Sequence, residues 1–331
     1  MRVLITGGAG YIGSHVAKHF RNKDYDVIVV DNLATGNHWS TKWGEFIKGD
    51  VRDADLMHSV MSKDVDLVVH LAAVADVSAA ERDPDRCFSV NIEGTKTVLS
   101  AMRSHGIGQI LFSSTCAVYQ SQALPMSERC NISPAGVYAE SKLQAEKEII
   151  REAEQGGIDC TIFRFFNVSG ADKDCEIGEV HDPETHLIPI VLECAHGIRE
   201  RVQIYGQDYP TPDGTAIRDY VHVEDIAAAH LLAAASREAN RVRTFNLGTG
   251  SGYSVKEIID VARRVTGLPI PVALTPRRAG DQARLTADSA LAQKELGWST
   301  AASDLPNIID SSWKWLSHYR STEDVPKSRT A

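Results

Sequence analysis

The chain has 331 residues, of which 43% are hydrophobic and 24% charged, so it carries enough apolar material for a sizeable core and a second lobe. Its formal net charge of -9 argues against an electrostatic footprint for nucleic acid or for an anionic membrane. Six scattered cysteines, Cys87, Cys116, Cys130, Cys160, Cys175 and Cys194, form no CxxC pair and no His/Cys cluster at zinc spacing, so reduced thiols and no metal are expected.

Met1 runs directly into "RVLITGGAG", too short and glycine-rich for a signal peptide, and no apolar run reaches membrane-spanning length. A soluble, cytoplasmic protein acting on small molecules is the expectation. Short β-branched runs then alternate with helix-like segments, the pattern of a parallel sheet covered on both faces. The predicted strands are "RVLIT", "DVIVVD", "EFIKGD", "LVVHLAA", "QILFSST" and "CTIFRFF". Periodic segments at Ser14 to Asn22 and Asn91 to His105 predict crossover helices. The expected fold is therefore α/β, a doubly wound parallel Rossmann sheet. From about Gly170 the rhythm breaks into Pro/Gly/Asp-rich sequence, while "TFNLGTG" at Thr244 to Gly250 reads as one more strand and turn. A smaller, interleaved C-terminal α/β lobe follows from this order.

The stretch "LITGGAGYIGSH" sets Gly7, Gly10 and Gly13 directly after the first strand, and Gly8, Gly10 and Gly13 also satisfy GxGxxG. Glycines here permit a tight turn and bring backbone N–H groups close to a pyrophosphate at a helix N-terminus. Asp31 ends the second strand, placed to accept hydrogen bonds from an adenosine ribose and to repel a 2′-phosphate, which favours NAD over NADP. Asp50 and Val51 follow the third strand and are placed to flank the adenine. The division expected from these signals is residues 1–169, with about 221–248, for the NAD-binding lobe. Residues 170–220 and 249–320 make the substrate lobe, and 321–331 a flexible tail.

"VYAESK" spaces Tyr138 and Lys142 four residues apart, on one face of a helix. A phenol is a poor base near neutrality, and a fixed cation beside it favours phenolate, so the pair reads as a proton acceptor with its activator. Upstream, "SSTCAVY" places Ser113, Ser114 and Thr115 at the end of the fifth strand, where doubly wound sheets bind ligands.

These residues resemble the extended short-chain dehydrogenase/reductase family, and within it the UDP-galactose (UDP-glucose) 4-epimerases. The resemblance runs through "GGAGYIGSH", "DNL", "SSTCAVY", "YAESK", "RFFNVSGA", "DYPTPDGTAIRDYVHVEDIA", "FNLGTG" and "RRAGD". It implies a tightly held NAD that takes a hydride from sugar C4 and returns it to the other face. Tyr138 would move the 4-hydroxyl proton, Thr115 would bond the 4-oxygen, and Lys142 would hold the nicotinamide ribose. The implied cofactor contacts are Gly7, Gly10, Tyr11, Ile12, Gly13, Asp31, Asn32, Asp50, Val51, Leu71, Ala72, Ala73, Asn91, Ser113, Phe165, Tyr138 and Lys142. For the substrate, the resemblance implies Asn167, Arg218 and Arg278 at the diphosphate, Tyr205 on the uracil side, and Asp281 at the uridine ribose. A homodimer is implied as well.

The chain also departs from the family pattern. Ala75 stands where many relatives carry a cofactor-touching lysine, and His186 and Leu187 in "THLIP" replace paired asparagines near the sugar phosphate. Leu285 occupies the position of the sugar-size gate, so UDP-xylose/UDP-arabinose and the N-acetylhexosamine pair stand as alternatives to UDP-glucose/UDP-galactose. Two rivals are a nucleotide-sugar dehydratase and a non-catalytic NAD-sensing relative. Cys116 and Ala117 stand where dehydratases place an Asp-Glu pair, which disfavours dehydration; intact Thr115, Tyr138 and Lys142 disfavour the sensor.

Overall fold

Seven strands, β1 (Arg2–Thr6), β2 (Asp26–Asp31), β3 (Glu45–Lys48), β4 (Leu67–His70), β5 (Gln109–Thr115), β6 (Asp159–Phe165) and β7 (Val242–Leu247), form one sheet in the order β7-β6-β5-β4-β1-β2-β3. Every neighbouring pair is parallel. The structure, a computed structural model, describes residues 1–120, 125–236, 241–278 and 281–322. The strand order reverses between β1 and β4, and the crevice beyond their carboxyl ends is where open parallel sheets of this kind bind ligands.

Both faces of the sheet are covered, and the period of two along each strand sorts its side chains. Val3 and Ile5 of β1 pack with Val16 and Phe20 of α1 (Tyr11–Arg21). Leu4, between them, faces the opposite core, with Met57 and Val60 of α2 (Ala54–Met61), Val98 and Met102 of α3 (Gly94–Ser104), and Ala145 and Ile149 of α4 (Val137–Glu154). Each such side chain contributes about 1.5–3 kcal/mol by leaving water.

The predicted helix from Asn91 is preceded by a widened turn over Ser89–Glu93, and regular helix begins at Gly94. Asn91 explains the turn, because its side chain is spent elsewhere. It accepts from Val74 N at 2.7 Å and donates to Ser141 Oγ at 2.8 Å, joining the end of β4 to α4.

A second core is built by α5 (Leu187–Ala195), α7 (Val255–Thr266) and α9 (Leu305–Ser321), through residues such as Val191, Ile258 and Ile308. The α7 helix has a full capping box, Ser254 with Glu257, and ends on Gly267 at φ 68°. Between these elements the chain returns to the first core. Helix α6 (Val223–Ala235) packs beside α1, and α8 (Ala290–Leu296) with Trp298 adds to the same cluster. Of the tail expected at 321–331, residues 323–331 lie outside the described residues.

Candidate active site

Between β1 and α1 the backbone turns on glycines that nothing larger can replace. Gly7 has φ 74°, and a Cβ there would lie 2.6 Å from Ala72 N. A Cβ on Gly13 would lie 2.2 Å from Gly7 O, so this turn locks the start of α1 against β1. Helix α1 begins after Gly10 without a side-chain cap and without an acidic residue in its first turn, leaving the positive end of its dipole for an anion.

One continuous cleft runs from this loop along the carboxyl edge of the sheet, with about 2240 Å3 of open space counted out to its mouth. The same cleft is lined by Gly7 and Asp31, by Tyr138 and Lys142, and by Arg218 and Leu285. At one end Asp31, buried at the tip of β2, accepts from Ala9 N at 3.1 Å and Leu33 N at 2.8 Å. Burial raises its carboxyl, and these backbone donors oppose that shift. Each carboxylate oxygen keeps a second lone pair for a ribose diol. Next to it Asn32 donates to Asp50 at 3.1 Å, and Arg52 holds the Asp50 carboxyl well below the usual range.

Toward the middle of the cleft, Thr115 ends β5 opposite Phe165 of β6, and it lines the same stretch of wall as Tyr138. Burial pushes the Tyr138 phenol above its ordinary value, and the neighbouring Thr115 hydroxyl pulls the other way. Lys142 lies one turn further along α4 and is only 2% exposed. Burial lowers its ammonium to about 8, against the opposing pull of Glu146 and Cys87. Its Nζ stands 4.3 Å from the centre of the Phe112 ring.

Besides burial, the groups that act on the Tyr138 phenol here are Thr115, Cys116 and Cys87. Four-residue spacing fixes where two Cβ atoms stand, but a four-carbon stem chooses its own end point.

At the outer end Arg218 donates to Ile217 O and Gln282 O, both at 2.9 Å, and pairs with Asp281. Leu285 sits opposite Arg218 in a short parallel ladder.

The sequence pattern of the NAD dependent epimerase/dehydratase family matches residues 3–248. The chain belongs to this family. A family relative from Corynebacterium glutamicum, a UDP-glucose 4-epimerase, is 43% identical over 96% of each chain. Among solved structures, the UDP-glucose 4-epimerase of Brucella ovis in complex with NAD is 43% identical, with a TM-score of 0.92 over 95% of this chain and 97% of its own. The Stenotrophomonas maltophila UDP-glucose 4-epimerase with NAD and formylated UDP-arabinopyranose is 36% identical. Its TM-score is 0.94, over 97% of this chain and all (100%) of that one.

In this epimerase/dehydratase cleft, most residues expected from the sequence come together. They are Gly7, Gly10, Tyr11, Ile12, Gly13, Asp31, Asn32, Asp50, Val51, Leu71, Ala72, Ala73, Ser113, Thr115, Tyr138, Lys142, Phe165, Asn167, His186, Arg218 and Leu285. Five do not line it. Asn91 is buried behind the wall, and Leu187 packs into the second core. Asp281 braces Arg218, while Tyr205 lies 3.9 Å under the Arg278 guanidinium, away from the lining, on an arm leading to residues 279–280, which are outside the described residues. Sequence reasoning missed Thr35, Asp76, Arg86, Glu179 and His181 on the lining. It also missed buried Asp219, which accepts from Thr249 N, Gly250 N and Ala287 N and so fastens the "NLGTG" turn to the Arg218 strand.

Proposed function

We propose that this chain interconverts the C4 epimers of a UDP-sugar, UDP-glucose and UDP-galactose before others, with NAD held in the cleft. The single observation that carries the reading is the Thr115–Tyr138 hydroxyl pair, set in the same cleft as an uncapped helix N-terminus and the Asp31 carboxylate. The glycine loop and α1 would hold the pyrophosphate, and Asp31 with Asn32 the adenosine ribose. Asp50 and Val51 would flank the adenine, and Lys142 would hold the nicotinamide ribose. Bound NAD supplies reversible hydride transfer at sugar C4.

Tyr138 is the group that takes the proton from the 4-hydroxyl and gives it back, while Thr115 holds the 4-oxygen in line with it. Burial holds the phenol above its ordinary value, and the positive charges of Lys142 and of a bound cofactor would favour the phenolate that accepts the proton. Arg218, fixed by Asp281 and two carbonyls, and Asn167 meet the diphosphate, and Leu285 stands at the sugar. Arg278 would meet the diphosphate and Tyr205 the uracil, as the resemblance implies, from beyond the residues that line the cleft.

The two-lobe division, residues 1–169 with about 221–248 against 170–220 with 249–320, belongs to the same proposal. So does a homodimer, which rests on the resemblance alone and is checked by sedimentation. A cytoplasmic location is supported by six cysteines that all remain thiols. To test the function, purified protein is incubated with UDP-glucose and no added NAD; UDP-galactose should form to equilibrium. A folded preparation with NAD bound and no UDP-sugar turned over would refute it.

A further inference from the structure

Residues 170–186, which connect the two lobes, carry no helix or strand, yet they form a wall shared by two cavities. In this segment Glu179, His181, Glu184 and His186, an E-x-H-x-x-E-x-H spacing, each offer one donor atom, and these atoms all lie within 4.8 Å of one another. Glu179 Oε1 lies 2.9 Å from His186 Nδ1 and 3.2 Å from His181 Nδ1. Glu184 oxygens lie 3.0 Å from His186 Nδ1 and 3.5 Å from His181 Nδ1.

A tetrahedral zinc ion with bonds of about 2.0–2.1 Å sets its donors about 3.3 Å apart, within the observed spread. One contact does not behave as an ordinary ion pair. His181 Nδ1 is shielded from solvent and makes no hydrogen bond, although both carboxylates stand within ion-pair distance, so the ring nitrogen is not directed at either oxygen. Among the described residues, the ion pairs of both carboxylates are with these two histidines and with no lysine or arginine. The nearby Asp172, Asp174 and Glu176 cluster differs, since the Lys18 ammonium already fills it.

The support around the four side chains is also fixed. Glu184 Oε1 accepts from Thr185 N and His186 N at 2.8 Å each, Arg199 donates to Glu184 O at 3.2 Å, and Trp315 Nε1 donates to Glu179 O at 3.2 Å. Partners of this kind hold ligating side chains in position at metal centres. A second cavity, lined by three of the four residues, Glu179, His181 and Glu184, reaches the cluster from outside the main cleft.

We propose that Glu179, His181, Glu184 and His186 bind one divalent cation, zinc by their mix of two imidazole nitrogens and two carboxylate oxygens, and that the ion staples the irregular wall between the two cavities. His186 then serves the wall, in place of the sugar-phosphate contact expected from its position. The absence of a metal expected from the cysteine spacing overlooked this set because its histidines are paired with glutamates.

The test uses the full-length chain, stripped with a chelator and then given Zn2+ or Co2+. Zinc should remain after gel filtration at about one ion per chain and raise the thermal midpoint. Co2+ should give the intense visible bands of a four-coordinate site. His181→Gln/His186→Gln should weaken zinc binding at least about 100-fold, while Asp174→Asn, in the neighbouring acidic cluster, should retain it. Equal zinc retention by wild type and the double variant overturns the proposal, as do weak six-coordinate Co2+ bands. If the double variant does not fold, Glu179→Gln and the wild-type cobalt spectrum decide in the same way.

Discussion

Lys142 is a buried cation, and removing its charge while keeping its bulk should make the cofactor-free protein more stable. Burial lowers its ammonium from 10.5 to about 8. At about 1.36 kcal/mol per pH unit, that displacement makes the folded state less favourable by roughly 3 kcal/mol at neutral pH, to order of magnitude. The Phe112 ring 4.3 Å away returns part of it, about 1–2 kcal/mol. Lys142→Met should therefore stabilise the NAD-free chain by about 1–3 kcal/mol at pH 7.

The pH dependence gives a second reading of the same group. Above pH 8 the folded chain releases a proton that the unfolded chain keeps until 10.5, so wild-type stability should rise by about 1.4 kcal/mol between pH 7 and 9 from this residue. The variant should lack that rise. Urea unfolding of stripped protein at pH 7, 8 and 9 measures both quantities. A Lys142→Met protein destabilised by more than about 1 kcal/mol at pH 7, or one with an unchanged wild-type slope, would refute the assignment of a strained ammonium.

Tyr138→Phe should keep the fold and bound NAD and lower turnover at least about 10²-fold; near wild-type kcat would sink its role. Gly13→Ala forces a Cβ to within 2.2 Å of Gly7 O, so calorimetry should read a loss of at least about 1–3 kcal/mol and nucleotide retention should fall; an unaffected variant would mean the loop is not seated as described. Asp31→Asn should narrow the preference for NAD over NADP in cofactor reconstitution, and an unaltered ratio would point to another reader of the ribose. For Leu285, specificity constants of the hexose, N-acetylhexosamine and pentose pairs in wild type, Leu285→Tyr and Leu285→Gly settle the gate. N-acetyl turnover should rise with the smaller residue, and indifference to size removes Leu285 from that role.

Where the sequence carries a strong local period, its elements are plain to read. "RVLIT", "DVIVVD" and "QILFSST" coincide with β1, β2 and β5, because each is a short apolar run ended by a polar or glycine signal. The glycine loop and Thr115 were legible for the same reason, since both follow a strand end directly.

After Gly170 only "TFNLGTG" was legible, and it falls on β7 and the turn that follows. The strands Ile217–Arg218 and Tyr220–His222 are too short to show a period, and the wall at residues 170–186 is shaped by side-chain contacts between residues several positions apart. Helix α5 was missed because "LIPIVLECA" reads equally well as a buried strand. The end point of the Lys142 stem depended on a ring from β5, which no spacing within α4 could reveal.

Helix α8 and Trp298 bear on how the molecule can be cut and how it can open. Trp298 Nε1 donates to Asp225 O at 2.7 Å, and Ser303 closes on Asp225 and His222, so residues from the late part of the chain seal the early core. A fragment ending at 248 would bare the surface that Ala292, Leu296 and Trp298 bury, and it would aggregate where the full chain does not. None of residues 290–303 lines the cleft, so loosening this strap opens the core and not the ligand site.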